Sequence, residues 1–430
     1  MKSGTNNNSS GLLKRGFVFS LFSGLNNGLS FLLIFILSFF LSKEDFGILN
    51  LFNVLIMIVS AFISLGTQSY LEIAFFRTSR ENFILNCNVI IAIAIVVSFV
   101  FGTIALCIPI FLKDILGFGI KYQIFAIAFC FFQLFYSIVL GIYRYEEKIF
   151  SYGIFSILWA GLNFFLTVMF CISFRNGWAG RAIAQLLSAF ILFIISLFIL
   201  YRNNYLRFII PPKKFFVDVL KFGLPLLPHG SSIWMRQGLD RYINNIFHGP
   251  AVVGIYSFAY NLSGLLLMLG TAFNQSNSVF IFKNLSINDN NTQNMRKIFS
   301  KQIYMMIIVF GSISIMGYIS SILFINIFIP KYIDAKPYLF PLFVSAFFQC
   351  IYYLFVNYLF YFQKTKQLMY ITFSISIIHF LLSIMFTRYS SLYTAYISLF
   401  STFLICCSVV LYANKIYPLF NFKNLLREKI

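Results

Sequence analysis

Residues 227–246 read LPHGSSIWMRQGLDRYINNI. The stretch has the length of a membrane span, yet it holds His229, Arg236, Asp240 and Arg241. A charge at mid-bilayer costs roughly 2.5–3.5 kcal/mol on insertion scales, so three charges within six residues need a reason. The usual reason is a water-filled cavity through which something charged passes.

Around it the chain is one hydrophobic run after another. Hydrophobic residues are 60% of the 430 and charged ones 10%, against about 25% charged in a soluble domain. No soluble fold of this size buries so much Phe, Ile and Leu, so the chain reads as an all-α integral membrane protein. A span needs about 20 apolar residues. Twelve stretches qualify, near 17–41, 49–71, 86–111, 122–142, 149–173, 179–201, 219–246, 252–279, 303–328, 339–361, 368–387 and 392–414. No segment has the alternating pattern of a membrane β-barrel.

The net charge of +20 raises the question of nucleic acid, and its distribution answers it. With both ends on one side, that side collects 22 of the 32 Lys and Arg and the other side eight, with Arg236 and Arg241 inside a span. This is the positive-inside asymmetry, so no nucleic-acid partner is expected and both termini are expected in the cytoplasm. Arg202, Arg207, Lys213, Lys214 and Lys221 are the strongest marker, a topology signal in contact with anionic lipid. The seven cysteines lie in or beside apolar spans without metal-ligand spacing and read as small hydrophobes. The first span is too long for a signal peptide and lacks a cleavage site, so it is expected to be retained. Residues 1–10 are polar and expected to be disordered.

The hydrophilic connection 202–218 divides the spans six and six. Sliding the chain by 207 positions places 46–75 on 253–282 without a gap, matching Gly47-Ile48 to Gly254-Ile255 and Gln68-Ser69 to Gln275-Ser276. An even number of helices per half gives both halves one orientation, related by an axis along the membrane normal. The expected organisation is a cytoplasmic segment 1–16, a six-helix lobe 17–201, a basic linker 202–218, a second lobe 219–414 and a basic tail 415–430. Twelve transmembrane helices would form two pseudosymmetric lobes around a central cavity. Residues 284–296 read as a flexible loop.

On a helical wheel His229, Arg236 and Asp240 fall within about 40°, flanked by Ser232, Gln237 and Arg241. Pro225 and Pro228 predict a kink or local unwinding at the start of that span. Milder polar stripes occur on span one (Ser20, Ser23, Gly24, Asn27), span two (Asn53, Ser60, Ser64, Gln68, Glu72) and span eight (Ser257, Tyr260, Asn261, Thr271, Asn274, Gln275, Ser278). Arg236, Arg241, His229, Gln237, Asn27, Gln68, Asn274 and Gln275 are therefore the candidate cavity residues. Each has a plainer alternative: Arg236 and Asp240 at i, i+4 can pair, Arg241 can snorkel, and His229 or His379 can serve packing. Arg181 can be an interfacial anchor.

No phosphate loop or metal-ligand cluster is present, and few acids are available for proton chemistry. The chain reads as a transporter or channel rather than an enzyme, with no cofactor and no metal. A cavity rich in Arg and poor in carboxylates suits an anion, since Arg binds phosphate oxygens bidentately.

The segments Leu41-Ser42-Lys43-Glu44-Asp45-Phe46-Gly47-Ile48, Phe222-Gly223-Leu224-Pro225-Leu226-Leu227-Pro228-His229, Leu239-Asp240-Arg241-Tyr242 and Val253-Gly254-Ile255-Tyr256-Ser257 carry a resemblance. They are similar to motifs of the Wzx-type polysaccharide-biosynthesis flippases of the multidrug/oligosaccharidyl-lipid/polysaccharide exporter superfamily. Val279-Phe280 stands where that family often has Trp-Ser-Pro. The resemblance implies a bacterial inner-membrane protein that moves undecaprenyl-diphosphate-linked oligosaccharide to the periplasmic leaflet by alternating access. Arg236 and Arg241 would hold diphosphate or anionic sugar, and Asp240 would be a gating ion-pair partner or a site for a coupling proton or sodium ion. Polysaccharide polymerase and chain-length machinery are the implied partners, beside the bilayer. A cation-coupled multidrug exporter, which would need carboxylates in the cavity, and a non-transporting assembly scaffold are the competing readings.

Overall fold

The computed structural model describes residues 22, 24, 26, 28–207, 209–287 and 292–419. Among them no β-strand occurs. In lipid every backbone polar group must be satisfied within its own segment, which favours helices throughout. The helices are α1 (Gly28–Phe40), α2 (Lys43–Ser64), α3 (Thr67–Arg77), α4 (Arg80–Cys107), α5 (Pro109–Leu116), α6 (Ile120–Tyr145), α7 (Ile149–Thr167) and α8 (Gly177–Arg202). They continue with α9 (Lys213–Gly223), α10 (Leu227–Gln237), α11 (Leu239–His248), α12 (Pro250–Ile287), α13 (Thr292–Phe328), α14 (Lys336–Tyr361), α15 (Thr365–Thr387) and α16 (Leu392–Ile416). Ten helical segments among the described residues are long and apolar enough to cross a membrane, and α1 is a shorter apolar helix. With the interrupted stretch α9 to α11, they fall on the twelve spans read from the sequence.

Three segments differ from expectation. The stretch 219–246 is broken twice. A 3-10 turn at Leu224–Leu226 follows α9, as Pro225 and Pro228 predict, and a second break at Gly238 (φ −104°, ψ −51°) separates α10 from α11. A wheel drawn through 229–240 as one helix therefore misplaces Asp240 relative to Arg236. Span two is also broken: α2 ends at Leu65 and Gly66, both left-handed (φ 45° and 65°), before α3 begins. Its counterpart in the second half, α12, is one helix of 38 residues. Finally, the loop expected over 284–296 is mostly helix: α12 extends to Ile287 and α13 starts at Thr292, with 288–291 outside the described residues.

The Leu65–Gly66 bend explains Gly223. A Cβ at Gly223 would stand 2.5 Å from the Leu65 carbonyl oxygen, and the rings of Tyr70 and Phe222 meet 5.5 Å apart beside it. The glycine of the Phe222-Gly223-Leu224-Pro225 motif thus lets one backbone approach another.

The chain divides into two compact units between Trp234 and Met235, inside α10. In the first unit α2, α4, α6 and α8 bury Val59, Ile63, Phe83, Ile90, Phe135, Val139 and Leu192 against one another. Tyr136 stacks on Trp159 with centroids 4.8 Å apart. The segment after α8 is tied down by polar contacts: Asn88 Nδ2 donates to the Arg207 and Ile209 carbonyls, Arg80 to the Asn203 carbonyl, and the Tyr205 hydroxyl to Glu146. Burial and the Glu146 bond push the Tyr205 phenol well above its usual range.

In the second unit α12, α14 and α16 form the centre, around Leu266, Cys350, Leu354, Phe355 and Val409. Small and hydroxyl residues such as Ser345, Ala346, Ser398, Ser401 and Thr402 are buried there. Lipid tails are as apolar as leucine, so close packing and hydrogen bonds, not exclusion from water, hold such helices together. In α13 only 17% of the apolar window is buried, so that helix faces outward, toward lipid.

Candidate functional site

The charged residues of 227–246 divide between two polar environments within the second unit. Asp240 is fully buried. Its Oδ1 lies 2.9 Å from His379 Nε2 on α15 and accepts from Ser383 at 3.0 Å, while Oδ2 accepts from the Tyr256 hydroxyl at 3.3 Å. The ion pair with Arg236 that the i, i+4 spacing allows is not formed, because the Gly238 break resets the helix between them.

The hydrogens around His379 can be counted. Ser401 donates its own hydrogen to the carbonyl of Ile397 (2.9 Å) or Ser398 (3.1 Å). Its oxygen, 2.9 Å from His379 Nδ1, then accepts from that nitrogen. With Nδ1 a donor, Nε2 can face a carboxylate oxygen only if one proton lies between them, whichever atom holds it. In this arrangement Asp240 and His379 share a proton.

This contact belongs to a ladder. Asp240, Asn244 and His248 repeat at i, i+4 and i+8 on α11, and His379, Ser383 and Thr387 do the same on α15. His248 Nε2 lies 2.6 Å from the Thr387 carbonyl, and Thr394 links Thr387 (3.0 Å) to Asn244 (3.3 Å). The sequence alone left His379 to a packing role. The matched i, i+4, i+8 polar sets were the signal that could have paired the two helices.

Arg236 and Gln237 occupy the other environment. They line a polar cavity of about 30 Å3 with Tyr260, Ser263, Ser345, Gln349, Ser398 and Thr402. That is room for about one water or one phosphate oxygen. Among the described residues no carboxylate lines it. Arg236 Nε is buried without a hydrogen-bond partner among the described residues, and the titratable groups acting on the guanidinium are the phenols Tyr352, Tyr260 and Tyr353. A guanidinium so placed is an uncompensated buried cation.

Arg241 sits between the two environments. Its Nε donates to Ser257 at 3.0 Å, an Nη donates to the Gln237 carbonyl, and its guanidinium lies 4.6 Å from the Tyr260 ring centroid. It is 7% exposed, so it is a packed residue and does not snorkel. Of the other candidates, Asn274 accepts from Asn357 on α14 at 2.9 Å and Gln275 is exposed; neither lines the cavity. Asn27 lies outside the described residues, as do the side chains of Gln68 and His229. In the first unit, Arg181 is bonded to Asn163 (2.8 Å) and Thr167 (2.5 Å), which makes it an internal tie rather than a plain interfacial anchor.

The helices and this buried polar chemistry define a multi-pass α-helical membrane protein with an unpaired cation inside its second unit. The profile of the polysaccharide biosynthesis protein family matches residues 12–280. The chain belongs to that family. It is 22% identical over 355 residues to an uncharacterized membrane protein of Haemophilus influenzae, covering 81% of this chain and 84% of that one. Its fold is similar to that of an inward-facing multidrug resistance MATE family transporter of the MOP superfamily, with a TM-score of 0.68 and 16% identity over 92% of this chain and 95% of the other. A MOP superfamily transporter from Pyrococcus furiosus, described as having a binding pocket of reversed polarity, is similar at a TM-score of 0.58, with 17% identity over 94% of each chain.

Proposed function

We propose that this protein is a flippase. It carries undecaprenyl-diphosphate-linked oligosaccharide from the cytoplasmic to the periplasmic leaflet of the bacterial inner membrane by alternating access, for surface polysaccharide assembly. Family membership supports the glycan pathway, and the fold shared with MOP-superfamily transporters supports movement of a solute. The observation that carries the reading is the separation of charges. Arg236 is buried without a carboxylate, while Asp240 is engaged by His379, Ser383 and Tyr256. The Arg236 cavity therefore attracts anions, which suits a diphosphate and opposes a cationic drug.

In this mechanism Arg236 directs its unpartnered N–H toward one non-bridging phosphate oxygen of the diphosphate, which the cavity is large enough to admit. Gln237 adds a polar side chain at the same wall. Arg241 supports the site from behind through Ser257 and Tyr260. The polyprenyl tail stays in lipid. Asp240 and His379 carry the coupling proton. Tyr256 bonds Asp240 and lies beside Tyr260, ring centroids 6.2 Å apart, so the proton site and the anion site share one face of α12. Polymerase and chain-length machinery would receive the flipped unit.

The test uses purified protein in sealed vesicles containing the host's lipid-linked glycan, with an impermeant sugar-modifying enzyme reporting exposure. Fast exposure with the parent and slow exposure with Arg236→Ala is the expected result. If exposure never exceeds that of empty vesicles under either a proton or a sodium gradient, the flippase reading fails and drug export or scaffolding replaces it.

A further inference from the structure

The start of α13 carries a basic cavity that the transport reading does not use. Arg296, Lys297 and Lys301 line a surface cavity of about 610 Å3 with Ser300, Tyr304 and Leu419. Among the described residues no carboxylate lines it. Its far wall is held in place: Ser300 donates to the Leu419 carbonyl and the Leu419 N–H donates to Asn414, both at 2.8 Å. The Arg296 guanidinium lies 5.3 Å from the Tyr417 ring centroid, and Tyr417 stacks on Tyr358 at 5.8 Å. The cavity is thus built, not merely a gap between mobile side chains.

Its depth identifies the ligand. At about 1.5 Å per residue the 37 residues of α13 are longer than a hydrocarbon core of roughly 30 Å needs. The surplus is at the polar start, and the apolar run begins at Ile303, directly after the three cations. Tyr304, Met305 and Ile308 are exposed one and two turns further on, as lipid-facing residues. The cations therefore stand at headgroup level beside lipid, on the end of α13 that the positive-inside asymmetry assigns to the cytoplasmic leaflet. A volume of several hundred Å3 is the size of a small-molecule site.

We propose that this cavity binds the phosphate headgroup of an anionic phospholipid of the surrounding bilayer, with Lys297 and Lys301 as its charge contacts and Ser300 and Tyr304 as hydroxyl neighbours.

The test measures thermal unfolding of the full chain, purified in neutral detergent, with added phosphatidylglycerol, phosphatidylcholine or inorganic phosphate. The variants are Lys297→Gln with Lys301→Gln and, as a control of equal charge change on the same side, Lys364→Gln with Lys366→Gln. Both α13 lysines are exposed, so the fold should survive their neutralisation. Phosphatidylglycerol should raise the midpoint of the parent and the control, and phosphatidylcholine should not. The α13 double variant should need about thirtyfold more phosphatidylglycerol and each single variant about fivefold more, from about 1 kcal/mol per lysine near a charged surface. Equal weakening in both double variants would reduce the effect to net charge and overturn the site. An equal midpoint shift with inorganic phosphate would overturn the lipid assignment in favour of a free-phosphate site.

Discussion

Asp240 Oδ1 and His379 Nε2 lie 2.9 Å apart, both side chains closed off from solvent, and the hydrogen-bond pattern requires a proton between them. This pair joins α11 to α15 in the second unit and ties up the one acidic side chain in 227–246. Arg236, on the other side of the Gly238 break, is left without a carboxylate among the described residues.

Removing one member of the pair should be costly. Asp240→Ala leaves His379, Ser383 and Tyr256 without their shared acceptor, and breaking a buried pair costs about 3–5 kcal/mol. The expected result is a large drop in unfolding midpoint in detergent, with Asp240→Asn, which retains an acceptor oxygen, falling much less. A midpoint for Asp240→Ala equal to the parent's would contradict the network.

Asp240→Asn also separates stability from coupling. An amide cannot take part in proton exchange with His379, so flipping by this variant should lose its response to a proton gradient. A response that persists would assign the coupling ion elsewhere.

Arg236 and Arg241 should fail in different ways. Arg236→Ala should slow glycan exposure by about tenfold or more, the value of a hydrogen bond to a charged group, with little change in unfolding midpoint. Arg241→Ala removes the contacts to Ser257, Gln237 and Tyr260 and should lower the midpoint as well. Measuring both quantities on both variants distinguishes substrate contact from support.

Gly223→Ala should destabilise the first unit by about 1–3 kcal/mol, the usual range for overpacking, because its Cβ would fall 2.5 Å from the Leu65 carbonyl oxygen. The readout is the unfolding midpoint. By contrast, Glu72→Gln should change it negligibly, since the Glu72–Arg144 pair at 2.8 Å is about half exposed on both sides, and exposed pairs contribute within about 1 kcal/mol.

Much of this architecture is legible in the chain. The apolar runs mark the spans because each must be about 20 residues long to cross lipid, a local property. Pro225 and Pro228 announce the first break near Leu224 for an equally local reason, the missing N–H. Gly238 gives no such warning, and the wheel that grouped Asp240 with Arg236 depends on an unbroken helix. The Leu65–Gly66 bend is hidden likewise: the repeat matching 46–75 to 253–282 implies equivalent helices, and only one of the two is bent.

By itself, then, the sequence determined the membrane class, the twelve apolar segments and the presence of buried charge in 227–246, because hydropathy and residue chemistry act over neighbouring positions. Which charge would find a partner was decided by tertiary structure alone. His379 lies 139 positions from Asp240 and reaches it through the lateral packing of α15 on α11, set by side chains distributed along both helices. That packing left Arg236 unpaired, and with it the charge on which the proposed anion site rests.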